Sequence, residues 1–330
     1  ESMVYVKNPN YYDAANVTMD ELHFMLSADD TAIYAAYNSG DVDYIDTVPN
    51  DEISSLNGIN PEFGVLDNLG TYYIGFNVND PLFDGKTEEE AAKMREAMSL
   101  LIDRQFIVEN VGQTDQIPAD SFVPVGMADG NGGVFKQADT SYYDATTTGA
   151  ANVEQAKTLL EEAGYTFTDN GDGTYAVDPA ISMTYLTNDG TGHIAVAESV
   201  QQDLALLGIS MEIKSEDWNV FLEDRKNGNF TIAREGWLAD YNDPVNMLEI
   251  FTSASGNNDM QLGKGTPVSS SPKWDEYNAL IDQIRNTADF AARVDLMHQA
   301  EDMLMETWSV VPLYYYNDVY MQKSNVDGVY

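Results

Sequence analysis

Residues 225–244 read RKNGNFTIAREGWLADYNDP, and this stretch says more about the fold than any other part of the chain. An apolar, β-prone run at 230–233 precedes a Gly-Trp pair and an acidic, aromatic loop. The pattern predicts a strand that carries Arg234 and Trp237 towards its end and is followed by Asp240.

An apolar wall, a cation and an anion are therefore expected within a few residues of one another. Such a place suits a small zwitterion, because Asp240 can bind an ammonium group and Arg234 a carboxylate. The same pattern also fits a strand and turn in any α/β protein, so these residues alone leave both interpretations open.

The segments around this stretch alternate between strand and helix patterns. Strands are predicted at 181–186 and 209–213, and helices at 194–207 and 218–226. This order indicates an α/β lobe with a partly parallel sheet. Further predictions are a helix with a Thr87–Glu90 capping box, a helix capped by Asn152, a hairpin around 170–173, helices at 274–285 and 290–306, and a return strand at 310–316.

Composition excludes several classes of function. The 330 residues allow two domains or one large one, and 55 acidic against 16 basic residues give a net charge of −39. Such a charge repels nucleic acid and anionic lipid and indicates a solvated acidic surface. No cysteine occurs, which excludes disulfides, cysteine-ligated zinc and a cysteine nucleophile. No apolar run is long enough to span a membrane, and no signal peptide is visible.

Catalytic and metal-binding patterns are scarce. The chain has no H-E-x-x-H, no G-x-S-x-G and no P-loop lysine motif. Residues 169–173, DNGDG, resemble a calcium loop but lack the distal glutamate, so a hairpin turn is the preferred interpretation. A carboxylate pair for glycoside hydrolysis stays open among the 55 acids, although no spacing selects one. We expect no cofactor and no metal site.

Residues 236–244, GWLADYNDP, resemble the signature of the extracytoplasmic solute-binding proteins of oligopeptide and dipeptide ABC transporters. Other stretches match the same family in the same order. They are KNPNYYD at 7–13, YAAYNSGDVD at 34–43, YIGFN at 73–77 with MREA at 94–97 and IDR at 102–104, AKTLLEEAGY at 156–165, Trp218 with Phe221, and VPLYY at 311–315. Each motif is weak alone, but their shared order over nearly the whole chain makes the resemblance specific.

The resemblance implies an α/β fold, namely a periplasmic-binding-protein-like (type II) lobe with a mixed sheet flanked by helices and remnant strands of a second lobe. The implied domains are a remnant of the N-terminal lobe at 1–74, the C-terminal α/β lobe at 75–313, and a return strand at 314–330. Family members carry more chain before the 7–13 motif, so the sequence is expected to be a fragment of a longer protein.

The resemblance also assigns roles to single residues. Asp240 is expected to bind the α-ammonium group of a peptide, and Arg234 and Arg225 to meet its carboxyl end. Trp237 and Trp218 match aromatic positions that line side-chain pockets.

Tyr241, within the motif, and Tyr73, which is expected to line the cleft or pack in the hinge core, complete the predicted ligand-binding set. His193 lies near a position where some relatives carry a carboxylate-binding histidine, but a surface histidine at a helix start is the preferred interpretation.

The function implied is that of the substrate-binding component of an ABC importer, which captures short peptides in an extended conformation between two lobes. The expected partners are short peptides and the ABC permease subunits, with no nucleic acid, and the protein is expected to be a monomer. It is expected to be extracytoplasmic, in the periplasm or lipid-anchored at the cell surface, and not an enzyme. The alternatives are another solute (an oligosaccharide, a metal chelate or a signalling peptide), an extracellular sensor or adhesin, and an extracellular hydrolase.

Overall fold

The computed structural model describes residues 1–137, 140–147, 149–265 and 274–329. The chain forms two compact units, a smaller one of Glu1–Leu66 and Asn317–Tyr330 and a larger one of Asp67–Tyr316. The lobe boundaries predicted at residues 74 and 313 stay a prediction.

The strands and helices follow the predicted alternation. The strands are β1 Ser2–Val6, β2 Glu21–Met25, β3 Tyr44–Ile45, β4 Phe63–Phe76, β5 Thr166–Asp169, β6 Tyr175–Asp178, β7 Ser182–Asn188, β8 Ser210–Glu216, β9 Ile232–Leu238 and β10 Val310–Gln322. The helices are α1 Asp30–Ser39, α2 Ile53–Leu56, α3 Glu88–Leu101, α4 Arg104–Phe106, α5 Ala150–Glu162, α6 Thr191–Ala205, α7 Trp218–Asn227, α8 Pro244–Leu248, α9 Trp274–Asn286 and α10 Phe290–Met305. A π-helical turn, Ile107–Gly112, follows α4.

The larger unit is built on a mixed sheet with the strand order β10-β4-β9-β7-β8. Strand β7 pairs in parallel with both β8 and β9, whereas β4 pairs antiparallel with β9. The chain runs β7-α6-β8-α7-β9, so the two helices supply the crossovers that parallel neighbours require. The predicted α/β fold with a mixed sheet flanked by helices is confirmed.

Strand β9 has unequal partners on its two sides. It pairs with β4 along its whole length, from Gly70↔Leu238 to Phe76↔Ile232. Its parallel pairing with β7 is limited to Tyr185↔Ile232 and Leu186↔Ala233. In the described structure, β9 therefore has a ladder partner on one side only beyond Ala233.

The two faces of this sheet bury separate apolar clusters. Successive residues of a strand point to opposite faces, so Tyr72 and Tyr73 of β4 belong to different clusters. The first cluster joins the sheet to α3, α5 and α6, through residues such as Met94, Leu160 and Val200. The second joins it to α8, α9 and α10, through residues that include Leu248, Trp274, Tyr277 and Leu304.

The first residues of α3 and α5 can be compared with the helix caps predicted from the sequence. The predicted capping box is confirmed, because Thr87 Oγ1 accepts from Glu90 N and the Glu90 side chain accepts from Thr87 N. The prediction that Asn152 caps α5 is wrong. The helix begins at Ala150, and the Asn152 side chain instead donates to the carbonyls of Leu100 and Thr147.

The smaller unit contains an antiparallel hairpin of β1 and β2 and a core of its own. That core joins Tyr37 of α1 and Ile45 of β3 to Met321, the residue that pairs with Ile45 at the end of β10. Lys323 lies 3.9 Å above the ring centroid of Tyr37. No helix in the described ranges has the length and apolar character that crossing a membrane requires.

Candidate functional site

Arg234 and Trp237 both lie in β9, but only Trp237 is near its end, because Arg234 is the third residue of the strand, and the two side chains do not share a face of the sheet. They are three positions apart, and side chains alternate along a strand. Arg234 lies beside Tyr72, a member of the first apolar cluster, whereas Trp237 packs against the second cluster, which contains Tyr73. The expected single surface of wall, cation and anion is therefore divided between two faces.

The guanidinium of Arg234 lies in an aromatic cluster. Its Cζ is 5.4 Å from the ring centroid of Tyr72 and 6.0 Å from that of Trp218. Tyr72 also stacks on Tyr314, with 4.7 Å between the centroids. Arg234 Nε is buried and has no hydrogen-bond partner in the described part of the chain. The ring faces thus stabilise the charge of the cation without occupying its Nε–H donor.

His193 completes this cluster, which corrects the preference for a surface histidine. Its Nδ1 lies 3.0 Å from the hydroxyl oxygen of Tyr72, and the two rings stack. Burial, with a contribution from the positive charge of Arg234, lowers the pKa of His193 to about 3. The imidazole is therefore neutral at physiological pH.

Asp240 follows β9 in an exposed loop that is held in place by Asn246 of α8. The Asn246 side chain accepts from Trp237 Nε1 at 3.0 Å and from Asp240 N at 2.9 Å. Its Nδ2 donates to Asp240 Oδ2 at 3.3 Å. Among the residues that the structure describes, no basic side chain forms an ion pair with Asp240. The carboxylate is fixed in position and open to an external cation.

Hydrogen bonds and an ion pair hold the rest of the loop in place. Asp243 caps α8 by accepting from Val245 N, and Arg293 holds both of its oxygens at 2.7 and 3.0 Å. Tyr241 is half-exposed, and its hydroxyl donates to Glu249 Oε1 at 3.1 Å. These contacts tie the loop to α8 and α10 and limit the motion of Asp240.

Arg225, in α7, lies among acidic partners inside the unit. Its Nη1 is 2.9 Å from Glu235 Oε2, and its Nε is 2.7 Å from Asp259 Oδ2. Both acids are almost fully buried. Burial raises the pKa of Glu235 to about 8, against the opposing effect of Arg225. The charge of Arg225 is already compensated, and its predicted contact with a ligand stays a prediction.

The two other predicted residues lie in different environments. Tyr73 is 2% exposed and packs edge-on against Phe122 and Phe251, so the structure places it in the core of the unit. Trp218 begins α7 behind the cap Asp217, and 49% of its surface is exposed. A ligand contact at Trp218 needs no rearrangement, whereas one at Tyr73 does.

No group of three or more histidine, aspartate or glutamate side chains in the described ranges has an arrangement that can hold a metal ion. His193 contacts Tyr72 and lies near the positive charge of Arg234. The arrangement suits binding, because an open carboxylate lies in the loop after β9 and an aromatic-bound cation lies within β9.

Comparison with known proteins gives concordant matches. The model of a family described as bacterial extracellular solute-binding proteins, family 5 Middle, matches residues 1–259. The dipeptide-binding protein DppE of Bacillus subtilis (strain 168) is 30% identical over 332 residues, which cover 100% of this chain and 55% of DppE. The periplasmic oligopeptide-binding protein OppA of Salmonella typhimurium (strain LT2) is 29% identical, over 99% of this chain and 55% of OppA.

Among solved structures, the murein tripeptide-binding protein MppA of Escherichia coli superposes with a TM-score of 0.79 at 26% identity. The match covers 98% of this chain and 58% of that one. The chain therefore spans little more than half the length of the relatives that it matches.

Proposed function

Because the chain belongs to the bacterial extracellular solute-binding proteins of family 5, we propose that the protein containing it captures short peptides for an ABC importer. The family is one of solute-binding proteins, not of enzymes. We propose that this chain, like the family, has no catalytic activity. The observation that carries the proposal is the Asp240 carboxylate, exposed, held by Asn246 and without a basic partner among the described residues.

Asp240 is the proposed anchor for the α-ammonium group of the peptide. A carboxylate whose position is fixed before binding forms a short charge-assisted hydrogen bond without the entropy cost of ordering a mobile side chain. A charge-assisted bond of this kind contributes on the order of 1.5–3 kcal/mol.

Arg234 is the proposed anchor for the carboxyl end, with His193 and Tyr72 beside it. The Nε–H of the guanidinium stays available, and the rings of Tyr72 and Trp218 lie beside the charge. Since Asp240 follows β9 and Arg234 lies within it, a peptide held by both runs antiparallel to β9. The side of β9 that lacks a partner beyond Ala233 supports main-chain pairing with such a peptide.

Aromatic side chains are the proposed contacts for the peptide's side chains. Trp218 and Tyr241 are about half-exposed, and Trp237 is partly buried. Rings of this kind offer apolar area without demanding a fixed hydrogen-bond pattern, so they suit peptides of varied sequence. Arg225 and Tyr73 complete the proposed set. Arg225 contributes by pairing with the buried acids Glu235 and Asp259, and Tyr73 by packing in the core behind the site.

The remaining parts of the proposal concern the whole protein. Family members are extracytoplasmic, and we assign this protein to the periplasm or, through a lipid anchor, to the cell surface. We assign residues 1–74 and 314–330 to one lobe and 75–313 to the other, and we propose that the lobes close on the peptide. We propose that the protein works as a monomer and docks on the permease subunits. We propose no nucleic-acid partner.

Calorimetric titration of the full-length protein tests the proposal. A free tripeptide such as Ala-Ala-Ala is compared with its N-acetylated form, in the wild type and in Asp240→Asn. We expect acetylation to weaken binding at least about tenfold in the wild type, from the loss of one charged bond, and far less in Asp240→Asn. Asp275→Asn, at an exposed acid of α9, controls for the change in net charge.

Equal binding of free and acetylated peptides by the wild type would refute the role of Asp240. Product formation from a panel of peptides and oligosaccharides would favour the hydrolase. Tight binding of an uncharged sugar that Asp240→Asn leaves unchanged would favour another solute.

A further inference from the structure

We infer that Asn246 is a positioning residue for ligand binding, which aligns the Asp240 carboxylate and the Trp237 indole as one unit; this inference rests on the proposed function. Asn246 is 2% exposed, so it does not meet a peptide itself in this structure. It acts through the two side chains that do.

The orientation of the Asn246 amide is determined by its partners. Trp237 Nε1 and Asp240 N can only donate, so the atom that meets both must be the oxygen. The amide nitrogen then necessarily points at Asp240 Oδ2. With the amide reversed, two donors would face an NH2 group and two oxygens would face each other. The network therefore has one arrangement.

This arrangement links the anchor to a wall of the site. The same Asn246 oxygen fixes the ring of Trp237 and the backbone of Asp240, while its nitrogen holds one carboxylate oxygen. The other carboxylate oxygen is left for the ammonium group of the ligand. Asn246 lies within the short helix α8, whose start is itself fixed by the contact between Asp243 and Arg293. The alignment is thus made before a ligand arrives.

The chain offers a matched control in Asn258. It is 1% exposed and also uses its amide for internal contacts, accepting from Leu262 N and donating to the carbonyls of Leu262 and Thr252. These contacts do not involve Trp237 or Asp240. Asn258→Ala therefore reports the cost of losing a buried asparagine in the same unit.

The test measures dissociation constants of Ala-Ala-Ala and N-acetyl-Ala-Ala-Ala for the full-length protein. The readout is the ratio of the constant for the acetylated peptide to that for the free peptide. In Asn246→Ala we expect this ratio to fall about three- to tenfold, as loss of a carboxylate's alignment predicts. The affinity for the acetylated peptide, which still contacts Trp237 but does not use the ammonium anchor, should fall less than the affinity for the free peptide. Asn258→Ala should lower the melting temperature without changing the ratio.

The variant Asn246→Ser provides a second test in case Asn246→Ala does not fold. Its smaller side chain leaves room for a water molecule that can satisfy the two donors, but it removes the direct bond to Asp240 Oδ2. We expect the ratio to fall in this variant as well. In the double variant Asp240→Ala/Asn246→Ala, the ratio should equal that of Asp240→Ala, because the two residues act on the same bond.

The outcomes separate the two claims. If Asp240→Ala abolishes the preference for the free peptide and both Asn246 variants retain it, the positioning role is wrong and the proposed function stands. If the wild type shows no preference, or Asp240→Ala keeps it, the ammonium anchor fails, and the role of Asn246 fails with it.

Discussion

Arg234 and Glu235 are consecutive residues of β9, yet they face opposite sides of the sheet. The guanidinium of Arg234 lies over the ring of Tyr72, and the carboxylate of Glu235 contacts Arg225, 2.9 Å away. Strand alternation thus places one charge in an aromatic cluster and the other in an internal ion cluster. The two charges should respond differently to substitution.

Replacing Arg234 should weaken recognition of the peptide's carboxyl end. In Arg234→Gln we expect the affinity for a free tripeptide to fall about ten- to hundredfold, because a charge-assisted bond is lost in a largely buried place. The affinity for the C-terminally amidated peptide should change little. Titration calorimetry with both peptides measures this, and an equal loss for both would contradict the assignment.

Because His193 is neutral, we expect the affinity for a tripeptide to be independent of pH near neutrality. Burial and the Arg234 charge lower the pKa of His193 to about 3. Its proton therefore is not gained or lost between pH 5 and 7, and the affinity for a tripeptide should be nearly constant over that range. A change in affinity centred near pH 6.5 in the wild type, absent in His193→Gln, would show that the histidine titrates on binding.

Removing Arg225 should act on stability, not on selectivity. Above the pKa of about 8 that burial gives Glu235, Arg225→Met leaves the Glu235 and Asp259 carboxylates buried without their cation, which should cost about 3–5 kcal/mol of unfolding free energy. Arg285→Met, which breaks a largely exposed pair with Glu249, is the matched control and should cost under about 1 kcal/mol. Denaturant unfolding compares the two variants.

At the same pH, above the pKa of Glu235, adding Glu235→Gln to Arg225→Met should recover part of the loss, since one buried carboxylate is removed. Similar costs for Arg225→Met and Arg285→Met would contradict the buried ion cluster.

Glu301 should make stability depend on pH. Its Oε1 accepts from Phe122 N at 3.0 Å and Val123 N at 2.7 Å, and burial raises its pKa to about 7. This folded-state pKa lies above the unfolded value of about 4.3. The contribution of protonated Glu301 to the free energy of unfolding is therefore complete at low pH and is lost as the pH rises to about 7.

Glu301→Gln keeps an oxygen for both bonds and removes the ionisation. Its unfolding free energy relative to the wild type should therefore rise between pH 5 and 8, by on the order of 1–3 kcal/mol. Thermal unfolding at several pH values measures the difference. A constant difference across this range would contradict the raised pKa.

Most of the element order could be predicted from the sequence because its signals are local. Apolar periodicity defined the helices, and the Thr87–Glu90 pair marked the start of α3. The glycine of the 236–244 motif was visible in the sequence, but its reason is a long-range contact, because a Cβ at Gly236 would meet the hydroxyl of Tyr316.

The parts of the site that were missed depend on contacts between distant segments. His193 was correctly placed at a helix start, but its contact with Tyr72 spans 121 residues and has no local signal. Asn246 carried no signal in the sequence, because its role depends on the side chains that the loop brings to it. The separation of Arg234 from Trp237 was predictable, since an interval of three residues in a strand places side chains on opposite faces.

The most direct test of peptide capture is native mass spectrometry of the full-length protein, purified without denaturation. Peptide capture predicts a co-purifying ladder of short-peptide masses that disappears in Asp240→Ala. A ligand-free mass, or a single non-peptide adduct that is unchanged in Asp240→Ala, would contradict it.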